Sequence, residues 1–194
     1  MTTVADLPFV GGHVALDFVN TAEERGHADS SDMLRAPADL LGWGERYGLI
    51  SAPAGDGDQA EFQRAIEARE LLYAVFFARR ADELATPGQL ARLSELGATA
   101  YRAGELRRDD DGTITWTWDT ARLDTIRHIA VTSAIDLLRA EPSARLKQCP
   151  GDHCGWFFLD TTKRGNRRWC SMAECGQDAK DEYRRAQRQA RLSR

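Results

Sequence analysis

All four cysteines of the chain fall within 27 consecutive residues, as Cys149, Cys154, Cys170 and Cys175, in the spacing C-x4-C-x15-C-x4-C. Two thiol pairs joined by a short connector suit a tetrahedral ion, because Zn2+ takes four thiolates at about 2.3 Å and each pair can supply two from one turn. Two disulfides, a redox-active thiol set and four unrelated buried thiols are the alternatives. Disulfides belong to oxidising compartments, and the opening MTTVADLPFV has no basic stretch followed by an apolar one to direct export. The expectation is a cytoplasmic chain with reduced thiols and one structural zinc ion. His153, beside Cys154, could replace a cysteine as ligand, but four matching cysteines already complete the set.

Charge divides the chain near the start of that array. Residues 1–144 hold 14 Arg and no Lys against 24 acidic residues, a balance of −10, whereas residues 145–194 hold 12 basic against 6 acidic residues, a balance of +6. Together these give the formal −4 of the whole chain. Four thiolates on one zinc add about −2 to the second part, which stays basic. An acidic body carrying a basic module points to nucleic acid as the module's partner. A segment of 50 residues is also too small for a core of its own, so a metal would explain how it folds. The longest apolar run, Leu71 to Ala78, is eight residues and is flanked by Arg69, Glu70, Arg79 and Arg80. That is far short of the roughly 20 residues that span a bilayer, so no membrane partner is expected.

The fold class expected is α+β, mainly α: a helical N-terminal domain over 1–144 with one β-hairpin, and a treble-clef-like zinc module over 145–194. Around Gly11-Gly12, apolar residues at 10, 14, 16, 18 and 19 have helical spacing, with His13, Asp17 and Asn20 as polar companions. Those three read either as a polar cluster lining a ligand pocket or as a helix start with a buried hydrogen-bonded network. Further helices are expected over about 37–48, 59–84, 87–102 and 120–140, with Pro37 and Pro87 in first turns. Between the last two, residues 105–118 alternate around an Asp-Gly turn and read as a hairpin, with Ile114, Trp116 and Trp118 expected in the core. In the module, 155–160 reads as a strand paired through a turn with 167–169. Ser171 and Glu174 match a capping box that starts a helix at Ser171.

Along that helix Lys180, Arg184, Arg188 and Arg191 recur at i, i+4, i+8 and i+11, and Lys163, Arg164, Arg167 and Arg168 sit on the preceding hairpin. A solvated helix face is the plain alternative, but a basic stripe without an acidic member beside a zinc site suits phosphate and guanine edges. No G-x-S-x-G, Walker A or H-E-x-x-H is present, and a four-thiolate zinc leaves no open position, so an enzyme is not expected. A second site from His13, His27 and Asp17 is the residual catalytic option.

At these residues the sequence resembles the CGNR zinc-finger family, whose members carry an N-terminal ABATE domain and are regarded as stress-induced, DNA-binding transcription regulators of bacteria. The resemblance rests on Cys149, Cys154, Gly155-Trp156, Phe158-Leu159-Asp160, Arg167-Arg168-Trp169-Cys170-Ser171-Met172 and Cys175-Gly176, and on Gly11-Gly12-His13 and Ala15 to Thr21 at the other end. It implies DNA as partner and a body that senses a small-molecule effector; a symmetric operator would need a homodimer, which no heptad announces. One departure stands out: the naming motif Cys-Gly-Asn-Arg is here Cys175-Gly176-Gln177-Asp178. The alternative function, from another class, is a zinc-stabilised protein-interaction module that no longer binds DNA.

Overall fold

A computed structural model describes residues 3–23, 25, 31–51, 58–81, 83–140, 142–152 and 154–192. His27 and His153, named above, lie outside them. The body is built from α1 (Val14–Val19), α2 (Pro37–Tyr47), α3 (Gln59–Arg80), α4 (Pro87–Ala103) and α5 (Asp124–Ala140), with α5 packed against α1, α3 and α4. Two short strands, β1 (Ala22–Glu23) and β2 (Ser31–Asp32), pair antiparallel after α1.

Local chemistry sets the helix starts. The Thr86 hydroxyl accepts from the Gln89 amide while the Gln89 side chain accepts from the Thr86 amide, a reciprocal cap ahead of Pro87. Asp58 caps α3 through the Ala60 amide, and Gly48, at φ 79°, closes α2 in the left-handed conformation. Helix α3 ends at Arg80 rather than continuing to Leu84. Two charged crosslinks run through the body. Arg127 of α5 bonds Glu61 of α3 with both partners buried, and Arg69 of α3 holds Asp32 of β2 and the Thr21 hydroxyl.

The hairpin β3 (Glu105–Arg108) and β4 (Ile114–Thr117) forms with Leu106 opposite Trp116. Its aromatic face is not core, however: Ile114 is 66% and Trp116 40% exposed. A lone two-stranded ribbon has a single neighbouring layer, and here the end of α4 meets it, with Tyr101 against Trp116 at 5.0 Å. Trp118 is tied down by its indole N–H to the Ala100 carbonyl, 2.8 Å.

The C-terminal segment supplies β5 (Leu146–Gln148), β6 (Phe157–Leu159) and α6 (Cys175–Leu192). Phe157 and Phe158 are fully buried and lie in the same core as Leu72, Val75 and Phe76 of α3. Tyr73 and Phe76 meet the Phe157 ring at 5.5 and 6.2 Å.

Candidate metal centre and basic helix

Strands β5 and β6 pair antiparallel, Leu146 opposite Leu159 and Gln148 opposite Phe157, and the turn between them carries Cys149 and Cys154. The Cys149 amide donates to the Trp156 carbonyl at 2.8 Å and the Cys154 amide to the Gly151 carbonyl at 3.2 Å, so both thiols project from one knuckle. Gly155 turns the chain at φ 66°, and a Cβ on Gly151 would stand 3.1 Å from the Cys175 sulfur. This pairing corrects the expected hairpin. The partner of β6 precedes the first cysteine, and residues 167–169 form no strand.

Asp160 is the reason. Its buried carboxylate accepts from the Thr162 amide and hydroxyl and, on the other oxygen, from the Arg167 amide at 2.8 Å and the Lys147 ammonium at 2.6 Å. Burial alone would raise its pKa, but these donors hold it well below the ordinary carboxylate range. The segment after β6 therefore wraps around a charge instead of returning as a strand. Helix α6 likewise begins at Cys175 rather than Ser171, because residues 172–174 are spent in turns that bring Cys170 and Cys175 together; the Ser171 carbonyl accepts from the Gly176 amide.

All four cysteines are free, and their sulfurs lie within 4.8 Å of one another. Cys154 and Cys175 each stand 3.6 Å from Cys170. Four thiolates at about 2.3 Å from one ion would be about 3.8 Å apart, so the set fits a tetrahedral metal. A divalent cation held there would take all four as thiolates.

Of the three polar residues after Gly11-Gly12, Asn20 ties the body to the module, and it also lines a cavity beside Cys149 and Cys154. Asn20 is 2% exposed, and its side chain donates to the Phe157 carbonyl and accepts from the Phe157 amide, both at 2.8 Å. The Leu159 amide donates to the Gly11 carbonyl at 2.8 Å. The edge of β6 that faces away from β5 is thus paired by the body, which removes the cost of an open edge. Asp17, also 2% exposed, accepts from the Gly11 amide at 2.7 Å and from the Tyr47 hydroxyl at 3.1 Å. A Cβ on Gly11 would meet the Asp17 carboxylate at 2.9 Å, which is why glycine stands there. Burial pushes the Asp17 carboxyl up to about 6 against those bonds and the Arg167 charge. His13 caps α1. Nothing in residue type distinguishes such a dock from a ligand pocket; the tie between Asn20 and Phe157 spans 137 positions of sequence.

The cations divide. Lys163, Arg164 and Arg168 are exposed on the loop before Cys170, and Lys180, Arg184, Arg188 and Arg191 are exposed on α6. Arg167 turns inward: its guanidinium donates to the carbonyls of Val10, Leu159, Trp169 and Cys170 and lies 4.5 Å from the centre of the Phe158 ring. Asp178 is exposed beside the knuckle, lining a cleft of about 440 Å3 with Gly151, Asp152 and Trp169. At about 100° per residue it stands roughly 120° around α6 from the middle of the basic stripe.

A knuckle, a turn and a helix start that bring four cysteine sulfurs to one point, seated on a helical body, define the class: a zinc-finger protein with a helical partner domain. Residues 12–141 match ABATE, described as "Putative stress-induced transcription regulator", and residues 145–188 match the CGNR zinc finger. The chain belongs to the ABATE family and carries a CGNR zinc finger. No curated protein matches it. Among the described residues no helix is long and apolar enough to cross a membrane.

Proposed function

We propose that the protein is a non-enzymatic transcription regulator that binds duplex DNA through its zinc module, with one structural zinc ion held by Cys149, Cys154, Cys170 and Cys175. The observation that carries this reading is α6. From Glu182 to Leu192 every residue is exposed, and Lys180, Arg184, Arg188 and Arg191 share one side of it. A helix of 18 residues is about 27 Å long, and one that leaves its packing after the first turns while carrying a row of cations suits a polyanion. Lys163, Arg164 and Arg168 add exposed charge on the same module. A closed four-thiolate shell offers no coordination position for substrate, which supports a structural ion. Effector reception at His13, Asp17 and Asn20 forms no part of the reading, because those side chains are engaged in capping and docking.

The test is fluorescence anisotropy of zinc-loaded protein with duplex DNA from its own upstream region, across a salt series. Replacing Lys180, Arg184, Arg188 and Arg191 with Gln should flatten the slope of log affinity against log salt by about 3 to 4, at roughly 0.9 per lost phosphate contact. Cys170→Ser should lose zinc and binding together. Equal slopes for the wild type and the four-fold variant would overturn the reading. Salt-insensitive association with a protein, and none with DNA, would replace it with the protein-interaction module.

A further inference from the structure

The acidic body is not a bystander to a polyanion at every point of its surface. Where α3 ends against the zinc module, an open groove of about 570 Å3 runs along the seam, lined by Arg80 of the body and by Lys147, Asn166, Arg167 and Arg168 of the module. Among the described residues no acidic side chain lines it. Its cations have different tasks. The Lys147 ammonium is bonded to the Asp160 carboxylate and to the carbonyls of Gly165 and Arg167. The Arg167 guanidinium is held by four carbonyls and makes no ion pair among the described residues, while Asp160 accepts from the Arg167 amide and Asp17 lies within reach of its charge. Arg80 and Arg168 are exposed, one on each side of the seam. Each guanidinium lies over an aromatic ring of its own segment, Phe77 at 5.2 Å and Trp169 at 5.1 Å, and neither has an ion-pair partner among the described residues. Stacking on a ring leaves the N–H fork of an arginine available at its edge, the geometry that meets phosphate oxygens bidentately.

We propose that this groove seats a phosphodiester of the bound DNA backbone, gripped between Arg80 of the helical body and Arg168 of the zinc finger, so that the body contributes directly to DNA affinity. The proposal rests on the DNA-binding reading and adds a contact from outside the zinc module. It is a sequence-independent contact, and it fixes the orientation of the body on the duplex, since a phosphate between Arg80 and Arg168 touches both parts at once.

Anisotropy titrations of the full-length, zinc-loaded protein with the same duplex at 50 to 200 mM salt test it, using Arg80→Gln, Arg80→Lys and, as a control on an exposed and internally paired body arginine, Arg92→Gln. One lost phosphate contact lowers the salt slope by about 0.9, so the affinity advantage of wild type over Arg80→Gln should shrink about 3.5-fold across that range. Arg80→Lys should recover most of the slope, and Arg92→Gln should match the wild type. Circular dichroism and zinc content identical to wild type confirm that the variants are folded. If the wild type binds and Arg80→Gln keeps its slope, the groove is overturned while the function of α6 stands. If Arg92→Gln lowers the slope as much as Arg80→Gln, the effect is general charge and the groove is likewise overturned. A wild type that binds no duplex removes both readings.

Discussion

Replacing Asn20 with alanine should cost more than any exposed substitution in the zinc finger, although Asn20 lies in the body. The side chain is 2% exposed and closes two hydrogen bonds of 2.8 Å, to the amide and to the carbonyl of the fully buried Phe157. Alanine leaves both backbone groups buried and unpaired, at about 1 to 3 kcal/mol each. The expected loss is about 2 to 6 kcal/mol. For a chain of this size each kcal/mol moves the midpoint by about 2 to 4 °C, so Tm should fall by about 10 °C. Asn20→Asp should be no better, since it keeps the acceptor for the Phe157 amide but sets a carboxylate against the Phe157 carbonyl. Asn166→Ala, exposed in the same module, serves as the reference and should stay within about 0.5 kcal/mol of wild type. Denaturant melts of zinc-saturated protein give the energies, and hydrogen exchange at the Phe157 amide gives the location. A loss below about 1 kcal/mol, or unchanged protection at Phe157, would refute the claim that Asn20 closes the edge of β6.

Two other expectations follow from single charges. Asp17→Asn should be less stable or equal at pH 4 and clearly more stable at pH 7. A carboxyl raised from 3.8 to about 6 in the folded state keeps its proton there while the unfolded chain loses it, so wild-type stability falls as pH rises through that window, by about 3 kcal/mol. Asparagine retains an oxygen for the Gly11 amide and does not titrate. The difference between the two melts should therefore grow from pH 4 to 7, and a difference constant with pH would show that Asp17 is not held in a disfavoured ionised state. Asp178→Arg, which restores the cation of the family motif, should change DNA affinity by less than about threefold at 0.1 M salt, because position 178 faces the knuckle and Asp152 rather than the basic stripe. A tenfold gain in anisotropy titrations would place residue 178 at the phosphates instead.

Much of the architecture is legible in the chain because it is written locally. Helices α2 to α5 follow from apolar periods, two of them opened by Pro37 and Pro87, and β3–β4 from alternation around an Asp-Gly turn. The metal set is legible for a similar reason: two short cysteine spacings leave little freedom to where the thiols go. What is not legible is decided by tertiary pairing. Strand β5 is three residues long, Leu146–Gln148, too short for any period to register, and the buried Asp160 draws the following loop away from the hairpin that its sequence suggests. Arg167 reads like the arginines on either side of it, because nothing in residue type says that one guanidinium turns to the Val10 carbonyl while Arg168 lies over Trp169 at the surface.

The same distinction separates charge from folding at residue 145. Composition changes there from acidic to basic, yet the hydrophobic core does not break: Leu146, Cys149, Trp156, Phe157, Phe158, Leu159 and Cys170 are buried together with the residues of α1, α3 and α5. A zinc finger of this size standing alone depends on its metal for nearly all of its structure. Here the body holds the first knuckle from one side through Gly11 and Asn20, and a zinc ion on Cys149 and Cys154 would hold it from the other. Helix α6 would have only the second kind of support, since beyond its opening turns it packs on nothing. Loss of the metal should therefore release α6 from the body while β5 and β6 remain in the core. A zinc ion there would act chiefly on the placement of the basic helix, the part of the molecule on which the proposed DNA contact depends.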